Sequence, residues 1–184
     1  MSVMPVDQLE RVPMSLDEYL ALPEGRVEWT DGEAVFMNAA PRSVHQNVAR
    51  RLANLIEDST SLYVAEAVGF WTVERRRSRI PDVLATCEPF DASWAPVTPV
   101  LCVEVLSPAT RGEDTIRKSR EYAQAGVAQY WVVDIEGREL TVYRNAGAGW
   151  DLLFSANADH PAGTVVVDGY GAVGIDLERL LRPW

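Results

Sequence analysis

The sequence predicts an α+β fold, a mixed central β-sheet flanked by helices, in a single domain over residues 1–184. Three observations lead there. The apolar run "VLCVEVLS", a helix-patterned segment and the run "AQYWVVDI" follow one another, which is the pattern of two parallel strands joined by a crossover helix. The other strand-like runs are punctuated by turn dipeptides, so the rest of the sheet is antiparallel. A chain of 184 residues with 47% hydrophobic and 24% charged side chains can bury one sizeable core.

The elements follow in order. Ser15-Leu-Asp-Glu18 is a capping box that opens a short helix ending before Pro23. Asp31-Gly32 separates two strands of a hairpin in "RVEWTDGEAVFMN". Ser43-Val-His-Gln46 reads as a second capping box, and the helix runs to about Asp58 with Val44, Val48, Leu52, Leu55 and Ile56 on one face. "SLYVAEAV", "GFWTVE", "RIPDVLATC" and "TPVLCVEVLS" read as strands. Thr110-Arg-Gly-Glu113 opens the crossover helix, and Gly126 ends it. "AQYWVVDI" and "RELTVYRN" flank a turn at Glu136-Gly137. "GWDLLFSA" and "GTVVVDG" are short strands, and "GIDLERLLRPW" is a terminal helical turn or helix.

Composition narrows the function. No apolar run approaches the ~20 residues of a membrane span, and "MSVMPVDQLERVPMSLDEYL" lacks the basic and apolar blocks of a signal peptide, so a cytoplasmic setting is expected. Cys87 and Cys102 have neither metal-type spacing nor the density of a disulfide scaffold. With 17 Lys plus Arg against 27 Asp plus Glu, the net charge of −10 argues against broad, non-specific nucleic-acid binding. A local basic strip remains: Arg75, Arg76, Arg77 and Arg79 stand just before Pro81-Asp82. By itself such a cluster reads as a solvated hairpin or loop, but if the substrate is nucleic acid these four arginines are expected to line the rim of the pocket that holds Asp82.

Glu104 carries the chemistry. Strand alternation puts Leu101, Val103 and Val105 on one face and Cys102, Glu104 and Leu106 on the other. Both faces are otherwise apolar, and an unpaired carboxylate there costs several kcal/mol or takes up a proton. It needs a partner. Lys118 stands at the margin of the crossover helix's apolar stripe, one turn before Tyr122, where it reaches over the end of the strand. A surface pair with Asp114 is the bland alternative, and the two are compatible. The second partner is a metal shared with Asp82, which lies some twenty residues earlier at the head of a strand. Two adjacent carboxylates repel unless a divalent cation joins them, and oxygen ligands favour Mg²⁺ or Mn²⁺. A carboxylate-held metal with a lysine is a toolkit for phosphodiester cleavage.

The ordered set Pro81-Asp82, Val103-Glu104-Val105-Leu106-Ser107-Pro108, Asp114, Lys118, Tyr122, Gly126 and Tyr130-Trp131-Val132-Val133-Asp134 resembles the Uma2 family of putative restriction endonucleases, within the PD-(D/E)XK nuclease superfamily. The resemblance covers nearly the whole chain. It implies a restriction-endonuclease-like core, DNA as substrate, catalytic residues Asp82, Glu104 and Lys118, and a homodimer. In the superfamily the lysine stands two residues after the second acid. Leu106 stands there in this chain, so the resemblance implies that the lysine has moved to Lys118 on the helix. It also marks Glu28 as a candidate extra metal or water ligand, against a strand-surface role. His45 lies within the apolar arc of its helix, where a hydrogen-bonded core histidine competes with a catalytic base. Tyr130 and Trp131 read as core. The two functional readings are a metal-dependent DNA endonuclease and a catalytically inactive nuclease-fold binding or assembly module. Leu106 and the acidic charge favour the second, and the intact Asp82, Glu104 and Lys118 set favours the first.

Overall fold

The computed structural model describes residues 10–23, 25–36, 43–72, 76–91, 93–106, 113–147 and 149–183. Their elements run β1 (Glu10–Pro13), α1 (Leu16–Leu20), β2 (Val27–Thr30), β3 (Glu33–Phe36), α2 (Ser43–Ser59), β4 (Tyr63–Glu66), β5 (Phe70–Thr72), β6 (Arg77–Arg79), β7 (Val83–Thr86) and β8 (Leu101–Leu106). Then come α3 (Glu113–Ala125), β9 (Gln129–Asp134), β10 (Glu139–Asn145), β11 (Trp150–Ala156), β12 (Ala162–Val167), β13 (Gly171–Asp176) and α4 (Leu177–Leu181).

The crossover predicted from the sequence forms the middle of a six-stranded sheet ordered β11-β10-β9-β8-β7-β4. β8 and β9 pair in parallel through α3, and their neighbours pair antiparallel, so the sheet is mixed. A five-stranded sheet, β1-β3-β2-β6-β5, is built from the N-terminal hairpins, and β12 and β13 make a separate ribbon. The β2–β3 turn takes the positive φ that its Asp31-Gly32 pair provides, 49° and 95°. Ser15 caps α1 through the reciprocal bonds of a capping box. Ser43 is already inside α2 rather than at its cap, and Thr110 lies outside the described residues.

Two other expectations are corrected. "RIPDVLATC" is not one strand: β6 belongs to the five-stranded sheet and β7 to the six-stranded one. Pro81, which has no N–H for a ladder, lies in the step between them. The helical turn or helix expected across "GIDLERLLRPW" is confined to Leu177–Leu181, capped by Asp176, and the segment's first residues belong to β13.

The two faces of β8 enter different cores, as its alternation requires. Leu101, Val103 and Val105 pack with Val48, Leu52 and Ile56 of α2 and with the β12–β13 ribbon. Cys102 packs on the other side with Phe70, Leu84, Tyr122, Val127 and Tyr130. Helices thus cover both faces, and α3 is held between β8 and the five-stranded sheet.

Gly126 ends α3 with φ +87°, and a Cβ there would meet nothing within 4 Å. Gly126→Ala should therefore lose only the left-handed backbone penalty, roughly 1–2 kcal/mol. At Gly171 a Cβ would also run into the Ser59 carbonyl oxygen, so Gly171→Ala should cost more. Urea unfolding of the two variants checks the order.

Candidate active site

The sheet change at Pro81 is what places Asp82. The β7–β8 register pairs Val83 with Val103, and continuing it sets Asp82 beside Glu104 on the α3 side of the sheet. Asp82 Oδ2 accepts the Val105 N–H at 2.8 Å and lies 3.3 Å from His45 Nε2, and Oδ1 accepts from Arg26 Nη2 at 3.3 Å. The Glu104 side chain is 13% exposed. Among the described residues, the hydrogen bonds that reach it, from the Tyr122 hydroxyl at 2.6 Å and from Lys118 Nζ at 3.3 Å, both end on Oε1.

Lys118, Glu121 and Tyr122 are spaced i, i+3 and i+4, so they share the inward face of α3. Lys118 Nζ also lies 3.4 Å from Glu28 Oε1. The same oxygen accepts the Ile80 N–H at 3.1 Å, and Glu28 Oε2 accepts from Arg79 Nη1 at 3.1 Å. Both oxygens of Glu28 are therefore engaged. The Asp114 side chain lies outside the described residues.

The basic strip does not stay together. Arg79 is 0% exposed. Its guanidinium is bidentate to Glu121 and reaches Thr30 Oγ1 at 2.7 Å. Arg77 joins Glu121 at 2.9 Å and also pairs with Asp31. Arg76 is exposed, and Arg75 lies outside the described residues. The expectation that Arg79 lines a substrate rim is thus corrected. Strand alternation turns Ser78 to one face of β6 and both Arg77 and Arg79 to the other, towards the acidic Glu121.

The Uma2 family, described as "putative restriction endonuclease", matches residues 16–167. The chain belongs to the Uma2 family. An uncharacterized protein of Synechocystis is 30% identical over 151 residues, 76% of this chain and 79% of its own. The crystal structure of a putative nuclease of the DUF820 group from Anabaena variabilis superposes with a TM-score of 0.70. It is 17% identical and covers 92% of this chain and 98% of its own, a likeness of fold.

Sequence reasoning gave Tyr122 no role, although it closes the site from α3. It also passed over Glu121 and Thr30, whose partner Arg79 is distant in the chain. One signal was present in the composition: Lys118 is the single lysine, against sixteen arginines.

Burial pushes the Glu104 carboxyl up to about 7; Lys118 and Tyr122 work against that, and the charges of Asp82 and Glu28 add to it. Burial alone would raise Asp82 too, but the hydrogen bond and charge of His45, the Val105 N–H and Lys118 hold it below the usual range. Burial opposes protonation of His45, and its bond to Asp82 outweighs that, so its pKa is raised. Tyr122 is held neutral by burial first and then by the Glu104 charge.

Among the described residues no three His, Cys, Asp or Glu side chains are grouped to hold a metal. Asp82 and Glu104 could supply two ligands. That number suits Mg²⁺, which commonly takes one or two carboxylates and fills its remaining positions with water and substrate phosphate. Burial is the main cause of the raised Glu104 pKa, and the Asp82 and Glu28 charges that add to it are what a divalent ion would relieve.

The Glu104 shift predicts a pH dependence. Its folded pKa of about 7 lies above the unfolded carboxylate value of roughly 4.3, so the native state holds the proton more tightly. The stability that this proton contributes is complete below the unfolded value and is lost as pH rises through about 7. In EDTA, the stability of wild type relative to Glu104→Gln should fall across that window in urea titrations. A flat difference would contradict the shift. Tyr122→Phe removes a bond that lowers the Glu104 pKa, so it should move the window upward.

Proposed function

We propose that the protein is a divalent-metal-dependent endonuclease that hydrolyses DNA phosphodiester bonds. The observation that carries the reading is Lys118. Although Leu106 occupies the strand position of the usual lysine, the Lys118 ammonium lies 3.3 Å from Glu104 Oε1. The family relationship supports the nuclease class.

In this reading Asp82 and Glu104 would hold Mg²⁺ or Mn²⁺, which when bound supplies Lewis-acid polarisation of the phosphate and a more acidic water. Tyr122 and Lys118 engage Glu104 Oε1, so Oε2, which no described residue engages, would be the ligating oxygen. Lys118 brings a fixed positive charge to the attacking water or the developing phosphorane charge. Glu28 orients that ammonium rather than joining the ligands, because Arg79, Ile80 and Lys118 take both of its oxygens. With Arg79 inside, Arg26, which already touches Asp82, and the exposed Arg76 are candidate basic groups for phosphate, and Arg75 lies outside the described residues. Arg26 is 34% exposed.

One observation favours the inactive module. Arg26 and His45 already neutralise Asp82 without an ion. Metal titration separates the two readings. At 100 times its Kd, Mn²⁺ should add about 2.7 kcal/mol of stability relative to EDTA. Asp82→Asn and Glu104→Gln should abolish both this gain and DNA cleavage. Lys118→Ala should keep the gain and lower kcat by roughly 10²–10³-fold, as removal of a transition-state charge contact does. No thermal shift in wild type, or full activity in Lys118→Ala, would favour the module.

A further inference from the structure

The proposed nuclease site uses Lys118 but does not explain what aims it. Lysine has a flexible four-carbon stem, and its ammonium is a point charge without directional preference. Left to itself, Lys118 would follow whichever carboxylate gave the best solvated pair. The structure shows a rigid support instead. Lys118 Nζ is shared between Glu104 Oε1 and Glu28 Oε1. Glu28 is pinned from behind by Arg79 and from the side by the Ile80 N–H. Arg79 is in turn pinned by the bidentate pair with Glu121, by Thr30 Oγ1 and by the Ser78 carbonyl.

We infer that Arg79 is a positioning residue for Lys118, acting through Glu28, with Glu121 and Thr30 as its anchors. This rests on the nuclease reading for the purpose of the ammonium, but not for its geometry. The planar guanidinium is suited to the task because its N–H groups point in fixed directions and cannot lose their charge. A buried ion pair is weak as a source of stability, since apolar replacements are often neutral or better. A fully enclosed arginine that touches two buried glutamates on different elements is better accounted for by the geometry it imposes. It ties β2, β6 and α3 together at the level of Lys118. Glu121 and Lys118 are one helical turn apart, so fixing Glu121 also fixes the rotation of α3 that presents the ammonium.

Because Lys118 is the single lysine, amine acylation reads this one side chain, with only the N-terminal amine beside it. The test is the rate at which N-hydroxysuccinimidyl acetate labels Lys118, followed by peptide mapping. Wild-type Lys118 should react slowly. In Arg79→Met and Glu121→Gln, labelling should accelerate roughly tenfold or more, because a hydrogen bond to a charged group that held the carboxylate in place is lost. A destabilised control, Ile56→Val in α2, should leave the rate unchanged. Where Arg79→Met does not fold, Glu121→Gln and the near-isosteric Thr30→Val give the same reading, with the smaller increase in Thr30→Val. If DNA is cleaved, kcat should fall in these variants with KM for DNA little changed. A labelling rate equal to wild type in folded Glu121→Gln and Thr30→Val would overturn the inference. So would equal acceleration in Ile56→Val, since protection would then follow global stability. Absence of cleavage in wild type would sink the nuclease reading and leave the labelling result standing.

Discussion

Glu121, Arg79, Glu28, Lys118 and Glu104 stand in a row of alternating charge, each bonded to the next, and the site depends on that alternation. Each of these groups would be costly alone in the interior. In sequence they compensate one another, and removing one partner of a buried pair typically costs about 3–5 kcal/mol because its neighbour is left exposed to the low dielectric. The row begins and ends on a carboxylate. Its last member is Glu104, whose pKa is raised first by burial and then by the charges of Asp82 and Glu28. An anionic end of this kind is where a divalent cation would complete the alternation.

The fold supplies this row by bringing elements from both sheets to one place. β2 and β6 each turn polar residues to a single face: Glu28 with Thr30, and Arg77 with Arg79. Their opposite faces are packed by the Tyr19, Trp29, Trp71 and Trp94 rings and by the Ser78 hydroxyl. α3 covers the charged face, and β8 meets it from below. Meanwhile the other side of the six-stranded sheet is a conventional apolar core against α2 and the β12–β13 ribbon. The two sides divide the work. One contributes hydrophobic burial, and the other holds polar groups in register at an electrostatic cost.

How much of this the sequence revealed depended on whether the deciding contact was local. The βαβ step, the Asp31-Gly32 turn and the Gly126 terminator were legible because each is written in adjacent residues. Glu104 was legible for a different reason: a carboxylate in an apolar strand implies a partner whatever the fold. Lys118 followed from the crossover, since its helix has to pack back over that strand. Arg79 was misread as a surface cation. Its burial depends on Glu121, 42 residues later on another element, and no local pattern announces that pairing. The split of "RIPDVLATC" was missed because its alternation is continuous across Pro81, and only the tertiary change of sheet interrupts it. Lys118 as the single lysine was available in the composition from the start.

The most direct measurement is anomalous diffraction from crystals soaked in Mn²⁺. The account predicts one strong peak between the Asp82 carboxylate and Glu104 Oε2, with Lys118 Nζ still seated on Glu28 and Arg79 unmoved. Crystals that bind Mn²⁺ elsewhere, or not at all, with Asp82 still paired to Arg26 and His45, would contradict it.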